Sequence, residues 1–226
     1  MSDETQERER FEAERRALLD ALLDHVPFDG WTGTAMAAAA EQAGLDADFP
    51  HRAFPRGAID AIEYFNRVAD DEMAAALAEE DLQAMRVRDR IARAVRVRLE
   101  RNAGHRDAVR RGLTVLSFPP NGPAGMRILY RTVDAIWRAV GDTATDFNFY
   151  TKRGLLAGVY GATVVFWLND GSEDSERTWR FLERRIDETM QIPKAVQRLR
   201  ETAERLPDPL GLRNFLRPGQ PGGFRR

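Results

Sequence analysis

The chain has 226 residues, a formal net charge of −2, 31% charged residues and no cysteine. That length admits one globular domain with a substantial apolar core and excludes two independent catalytic domains. The absence of cysteine removes disulfides, thiolate nucleophiles and thiolate metal sites, and the charge balance excludes a nucleic-acid binder acting through bulk positive charge.

The start, Met1-Ser2-Asp3-Glu4-Thr5, is acidic and lacks the basic residues and apolar stretch of a signal peptide, which argues for a cytoplasmic protein. Helical periodicity prevails and no run alternates with period 2, so the expected fold is all-α, a bundle of about ten helices. The first helix should span 7–25, with Phe11, Leu18, Leu19, Leu22 and Leu23 on one side, and stop at Pro27. A short helix follows Trp31, capped by Thr32 or Thr34 and closed at Gly44, and a second occupies 46–53. Together Thr32 to Phe54 have the outline of a helix-turn-helix, and Pro55-Arg56-Gly57 opens a longer helix through Ile59, Ile62, Phe65 and Val68.

Further helices are expected at 82–102, 105–118 and 122–140, punctuated by Gly104, Pro119-Pro120 and Gly141. Asp146 can cap the helix that enters at Phe147 and ends near Asn169, and Ser172 or Asp174 can cap another through Met190. The apolar run Gly154 to Leu168 is shorter than the roughly 20 residues that cross a bilayer and predicts a buried helix. Pro193 precedes a last amphipathic helix to Leu206, and the tail beyond Pro218 is expected to be disordered. This divides the chain into a helix-turn-helix-like unit (1–55), a helical body (56–192), and an amphipathic helix with a flexible tail (193–226).

Enzyme signatures are missing. Ser2, Ser117, Ser172 and Ser175 lie in no Gly-x-Ser-x-Gly setting, and there is no Walker loop or dinucleotide fingerprint. His25, His51 and His105 are scattered and show no metal-ligand spacing, so neither a metal nor another cofactor is expected. Gly154, Gly158 and Gly161 fall at i, i+4 and i+7, leaving one helix face without side chains. That suits a packed core or a dimer seam, with core packing expected ahead of ligand lining. The segment from Gly141 to Arg153 joins a polar loop to Phe147, Phe149 and Tyr150; Phe147 and Tyr150 can share a buried face, while Phe149 points elsewhere. A protein interface and a simple capped helix start fit it equally.

Val26-Pro27-Phe28-Asp29-Gly30-Trp31, Phe54-Pro55-Arg56-Gly57, the Gly141–Arg153 segment and Thr178-Trp179-Arg180-Phe181-Leu182-Glu183-Arg184-Arg185 occur in that order. In this the sequence resembles the Coq-nine family of ubiquinone biosynthesis proteins, from about Ala17 to Met190. The resemblance implies a TetR-like fold that has lost DNA binding, a homodimer, and an apolar pocket for a polyprenyl quinone or other isoprenoid lipid. It implies no catalytic residues of its own and a partner, the di-iron demethoxyubiquinone hydroxylase. The family's Asp-Phe-Asn-Trp-Tyr motif places the partner-binding pair at Phe149 and Tyr150, with Phe149 in place of the usual tryptophan. Ile136 and Leu99 would border that patch, although helix periodicity alone assigns both to a core face. The family's membrane-contacting helix would carry Val196, Leu199, Ala203 and Leu206 on its apolar side, with Lys194 and Arg198 near acidic headgroups, on the inner face of the membrane.

The competing reading is a TetR-type transcription regulator with a hydrophobic ligand pocket, which the N-terminal outline alone permits. Its recognition segment would be Asp46-Ala47-Asp48-Phe49-Pro50-His51-Arg52, with two acids and a proline where phosphate contact favours Arg or Lys.

Overall fold

Leu18, Leu19, Leu22, Leu23 and Val26 recur with helical spacing, and they are the buried face of the first helix, α1 (Asp3–Asp29). The computed structural model describes residues 3–141 and 147–189, the first four of the latter stretch as helical backbone. The solvated first half of α1 carries Arg8–Glu4 and Arg10–Glu14 pairs at i,i+4. Pro27 does not stop the helix as expected. It sits in the last turn, where its missing N–H costs one bond, and its carbonyl accepts from Arg111 Nη2 at 2.6 Å. The turn instead closes at Gly30, whose φ of +71° an L side chain would resist.

Thr32 caps α2 (Gly33–Gln42), its Oγ1 accepting the Ala35 N–H at 3.2 Å, and buried Ala35, Met36, Ala39 and Ala40 face α1. The helix ends with Leu45 N–H bonded to the Ala40 carbonyl across Gly44, at φ +64°. The next helix is shorter than expected: α3 is the five residues Phe49–Ala53. Asp46 Oδ1 takes the Asp48 N–H at 3.1 Å, an Asx turn that holds 46–48 outside the helix.

After Gly57 comes α4 (Ala58–Ala78). The helix expected at 82–102 is broken in two, a 3₁₀ turn at Leu82–Ala84 and then α5 (Val87–Glu100), because Arg86 is extended at the junction. α6 (Arg106–Ser117), α7 (Gly122–Ala139) and α8 (Phe147–Leu168) follow, and α9 occupies 176–189. Among the described residues all regular structure is helical, as expected. Met1–Ile186 forms one compact unit; of the second, Asp187–Arg226, residues 187–189 are described. The expected amphipathic helix and the tail lie outside the described residues.

Two apolar cores fill the first unit. One gathers α1, α2, α3 and the start of α4 around Leu22, Trp31, Phe49, Phe54 and Phe65. The other joins the end of α4 to α5, α7, α8 and α9 around Met73, Val95, Val133, Ile136 and Trp167. Between them α4 and α5 are tied by a buried ion pair: Arg98 Nε donates to Asp70 Oδ1 at 2.7 Å, and Thr132 Oγ1 on α7 donates to the same carboxylate at 3.0 Å.

The end of α8 is organised by Asp170. Its Oδ2 accepts the Thr178 N–H at 2.8 Å and the Thr178 hydroxyl at 2.7 Å, and its Oδ1 accepts the Ser172 N–H at 2.9 Å and the Ser172 hydroxyl at 2.7 Å. Burial pushes the carboxyl up, but these donors outweigh it and hold Asp170 well below the usual carboxylate range.

Candidate functional site

The sequence places small residues on the inward faces of α6, α7 and α8, and where they meet α4 and α5 a cavity of about 600 Å³ remains. Its walls are apolar: Ile62 and Phe65 from α4, Val109 and Leu116 from α6, Ile128 from α7, Val164 from α8. Gly112 thins the α6 wall, where an added Cβ would lie 3.6 Å from Trp31 Nε1 and 3.7 Å from Ile62 Cγ2. Gly161 leaves the α8 side open, since a Cβ there would meet nothing within 4 Å. The volume falls in the range of small-molecule pockets, roughly 300–1,000 Å³.

Side chains fix α6 beside the cavity. Trp31 Nε1 donates to the Ala108 carbonyl at 3.0 Å on one flank. On the other, Arg106 Nη1 donates to the Asp170 carbonyl at 2.8 Å and Arg110 Nη2 to the Leu168 carbonyl, two cations at the C-terminal end of α8. The mouth is rimmed by Leu113, Met126 and Val165, which are 40%, 65% and 57% exposed. Apolar side chains lining a pocket and also facing solvent match the entrance of a lipophilic ligand better than a folding core.

The inner end is polar. Asn66, Asn102, Thr132 and Tyr160 line it, and behind them lie Arg98 and Asp70. Burial pushes the Asp70 carboxyl up against the pull of Arg98, Thr132 and Arg131. Burial likewise raises the Tyr160 hydroxyl, which therefore stays protonated at neutral pH.

Of the site residues expected from sequence, Leu99 lines this pocket and is 1% exposed, while Ile136 is 0% exposed in the core beneath α7. Neither reaches the surface, so any effect of theirs on a docking patch passes through the helices they support. Phe149 and Tyr150 fall in the first turn of α8, and their side chains lie outside the described residues. Along the helix they stand about 15 Å from Tyr160, at 1.5 Å per residue. Lys194, Val196, Arg198, Leu199, Ala203 and Leu206 also lie outside the described residues. The glycine series is not packed in a core as expected: added Cβ atoms at all three would meet nothing within 4 Å, with Gly154 and Gly158 exposed on the side opposite the buried stripe Leu156, Val159, Tyr160, Thr163, Val164 and Trp167, and Gly161 bordering the pocket.

Most pocket residues escaped the sequence reading. A signal existed in α5, where Arg98 and Asn102 continue the buried spacing of Ile91, Ala94 and Val95. Two polar side chains in an apolar stripe mark a place where something other than hydrocarbon must be satisfied.

The COQ9 family model matches residues 122–193, which covers α7, α8 and α9. The chain is 32% identical over 211 residues to the human mitochondrial ubiquinone biosynthesis protein COQ9, covering 89% of this chain and 66% of that protein. Against the Rattus norvegicus protein of the same name the figures are 33% over 213 residues, 89% and 67%. The chain thus spans about two thirds of the length of these relatives. Among solved structures, a TetR transcriptional regulator from Nitrosomonas europaea superposes with a TM-score of 0.62 at 23% identity, covering 78% of this chain and 97% of that one. The expected TetR-like architecture is therefore borne out as a fold. On the strength of 33% identity across 89% of its own length and 67% of the rat protein's, the chain belongs to the COQ9 family.

Proposed function

We propose that the protein serves ubiquinone biosynthesis as a non-catalytic lipid-binding accessory, holding a polyprenyl quinone intermediate and presenting it to the di-iron demethoxyubiquinone hydroxylase. The observation that carries this reading is the apolar pocket with an exposed apolar rim at Leu113, Met126 and Val165. A polyprenyl chain has almost no solubility in water, and a pocket of this kind lowers the cost of exposing it between membrane and catalyst. The relatives in human and rat are both named as ubiquinone biosynthesis proteins.

The hydroxylase would dock at the start of α8, through Phe149 and Tyr150, with Leu99 and Ile136 supporting that surface from beneath. A second copy of the chain would cover the exposed face of α8 at Gly154 and Gly158, whose lack of side chains lets helices approach closely. The segment 193–206 would touch the membrane surface; no helix among the described residues is long and apolar enough to cross one.

A transcription regulator is the alternative, favoured by the fold alone. Against it, Phe49, Pro50 and Ala53 of the five-residue α3 are buried, and Arg52 lies over the Phe49 ring at 5.1 Å, which leaves little for a DNA groove. Deleting the gene in the native host and profiling quinones tests the proposal. Accumulation of demethoxyubiquinone, reversed by the intact gene, is expected; unchanged ubiquinone would refute it.

A further inference from the structure

An apolar pocket normally hides hydrocarbon, yet two polar side chains, Asn102 and Tyr160, line this one without a side-chain hydrogen bond among the described residues, and a buried arginine lies behind them. Arg98 is fully buried and its Nη1 has no hydrogen-bond partner, although Nε is bonded to Asp70 and Nη2 to Asn66 Oδ1 at 3.0 Å. Among the described residues, neither the Asn102 carboxamide nor the Tyr160 hydroxyl makes a side-chain hydrogen bond; both residues are buried and both line the pocket. Leaving such groups unsatisfied is costly, and native proteins rarely do so without a ligand or function to answer it.

The groups also share a chemical bias. The Tyr160 hydroxyl presents an O–H donor and the Asn102 amide two N–H donors. The charge of Arg98 is already balanced by Asp70, which makes a phosphate or carboxylate a poor fit and a neutral oxygen acceptor a good one. Asn66 and Thr132 complete the surround, but both are spent on internal bonds to Arg98 and Asp70.

We infer that the pocket binds its lipid head first, with an uncharged, oxygen-bearing ring seated against Asn102 and Tyr160, in front of Arg98, and the hydrocarbon tail leaving past Leu113, Met126 and Val165. The inference rests on the lipid-binding reading above and deepens it by fixing the orientation and the head-group chemistry. Head-inward binding shields the reactive ring from water and exposes only the tail end at the mouth. Release to a catalyst then requires withdrawal of the head past the rim.

The test uses two probes with one tail, a decyl-substituted dimethoxybenzoquinone and decylbenzene, titrated calorimetrically into the full-length protein and its Tyr160→Phe and Asn102→Leu variants. Thermal melts of each variant confirm folding, and Tyr160→Phe preserves the ring and so guards against collapse of the site. Each substitution is expected to weaken the quinone about 3- to 10-fold, the value of one neutral hydrogen bond, and to leave decylbenzene unchanged. Equal losses for both probes, or no loss for the quinone, would overturn the orientation while leaving lipid binding intact. Failure of the wild-type protein to bind either probe would instead overturn the lipid-binding reading and this inference with it.

Discussion

Replacing Gly161 by leucine separates the pocket's contribution to binding from its contribution to folding. The glycine lies in the interior of α8 and lines the cavity, and a Cβ there meets nothing within 4 Å. Leucine restores helix propensity, a gain of about 0.7 kcal/mol, which for a protein of this size raises Tm by about 2 °C. Its isobutyl group meanwhile occupies space that a ligand tail would use. Losing contact with about four methylenes at roughly 0.8 kcal/mol each costs about 3 kcal/mol, or on the order of 100-fold in affinity. The assay pairs a thermal melt with titration of diphenylhexatriene, whose fluorescence rises in an apolar site. A higher Tm with probe binding lost is expected. Unchanged probe affinity in a folded variant would refute the assignment of this cavity as the binding site, and a lowered Tm would show that α8 has a neighbour at this point.

The buried ion pair and the Asp170 junction make further predictions. Asp70→Ala strands the Arg98 guanidinium in the core and should cost about 3–5 kcal/mol by chemical denaturation, whereas the double change Asp70→Leu with Arg98→Met should recover most of that loss. Asp170→Asn removes charge from five hydrogen bonds, one of them an ion pair with Arg177, and should cost about 2 kcal/mol, measured by urea melts. Because the folded pKa of Asp170 is depressed, its stabilisation is complete above the unfolded value near 3.9 and fades as pH falls below it. The wild-type protein should therefore lose more stability than Asp170→Asn between pH 5 and about pH 2; parallel curves would contradict that role. The proposed pairing of two copies through the open face of α8 predicts a wild-type dimer and, with a charge placed there by Gly158→Arg, a monomer in analytical ultracentrifugation; the same mass for both would refute that seam.

Helix positions were legible because long amphipathic stripes leave the 3.6 period in the sequence: α6 and α7 begin and end within about two residues of where Gly104, Pro119-Pro120 and Gly141 set them, and α4 starts directly after Gly57 but runs on to Ala78, ten residues past the last apolar position read from sequence, Val68. Boundaries set by single side chains were not. The Asx turn at Asp46 that delays α3 is one side-chain bond without a periodic signature, and the Arg111 bond to the Pro27 carbonyl at the end of α1 joins residues 84 apart in sequence. The pocket was legible only in outline. Its walls come from five helices, and a cavity arises from what side chains fail to fill, which no one-dimensional pattern records. The glycines of α8 show the limit most plainly: spacing alone marks a bare face, and whether that face meets a neighbour or open space is decided by which way the helix is turned.

The central claim is that the space among α4 to α8 carries an isoprenoid lipid. Purifying the full-length protein from its native host and identifying extracted lipids by mass spectrometry tests this most directly. An isoprenoid quinone or its biosynthetic intermediate should co-purify in proportion to the protein and be depleted in Gly161→Leu. Wild-type protein repeatedly free of isoprenoids, or a Gly161→Leu variant carrying the same amount, would contradict it.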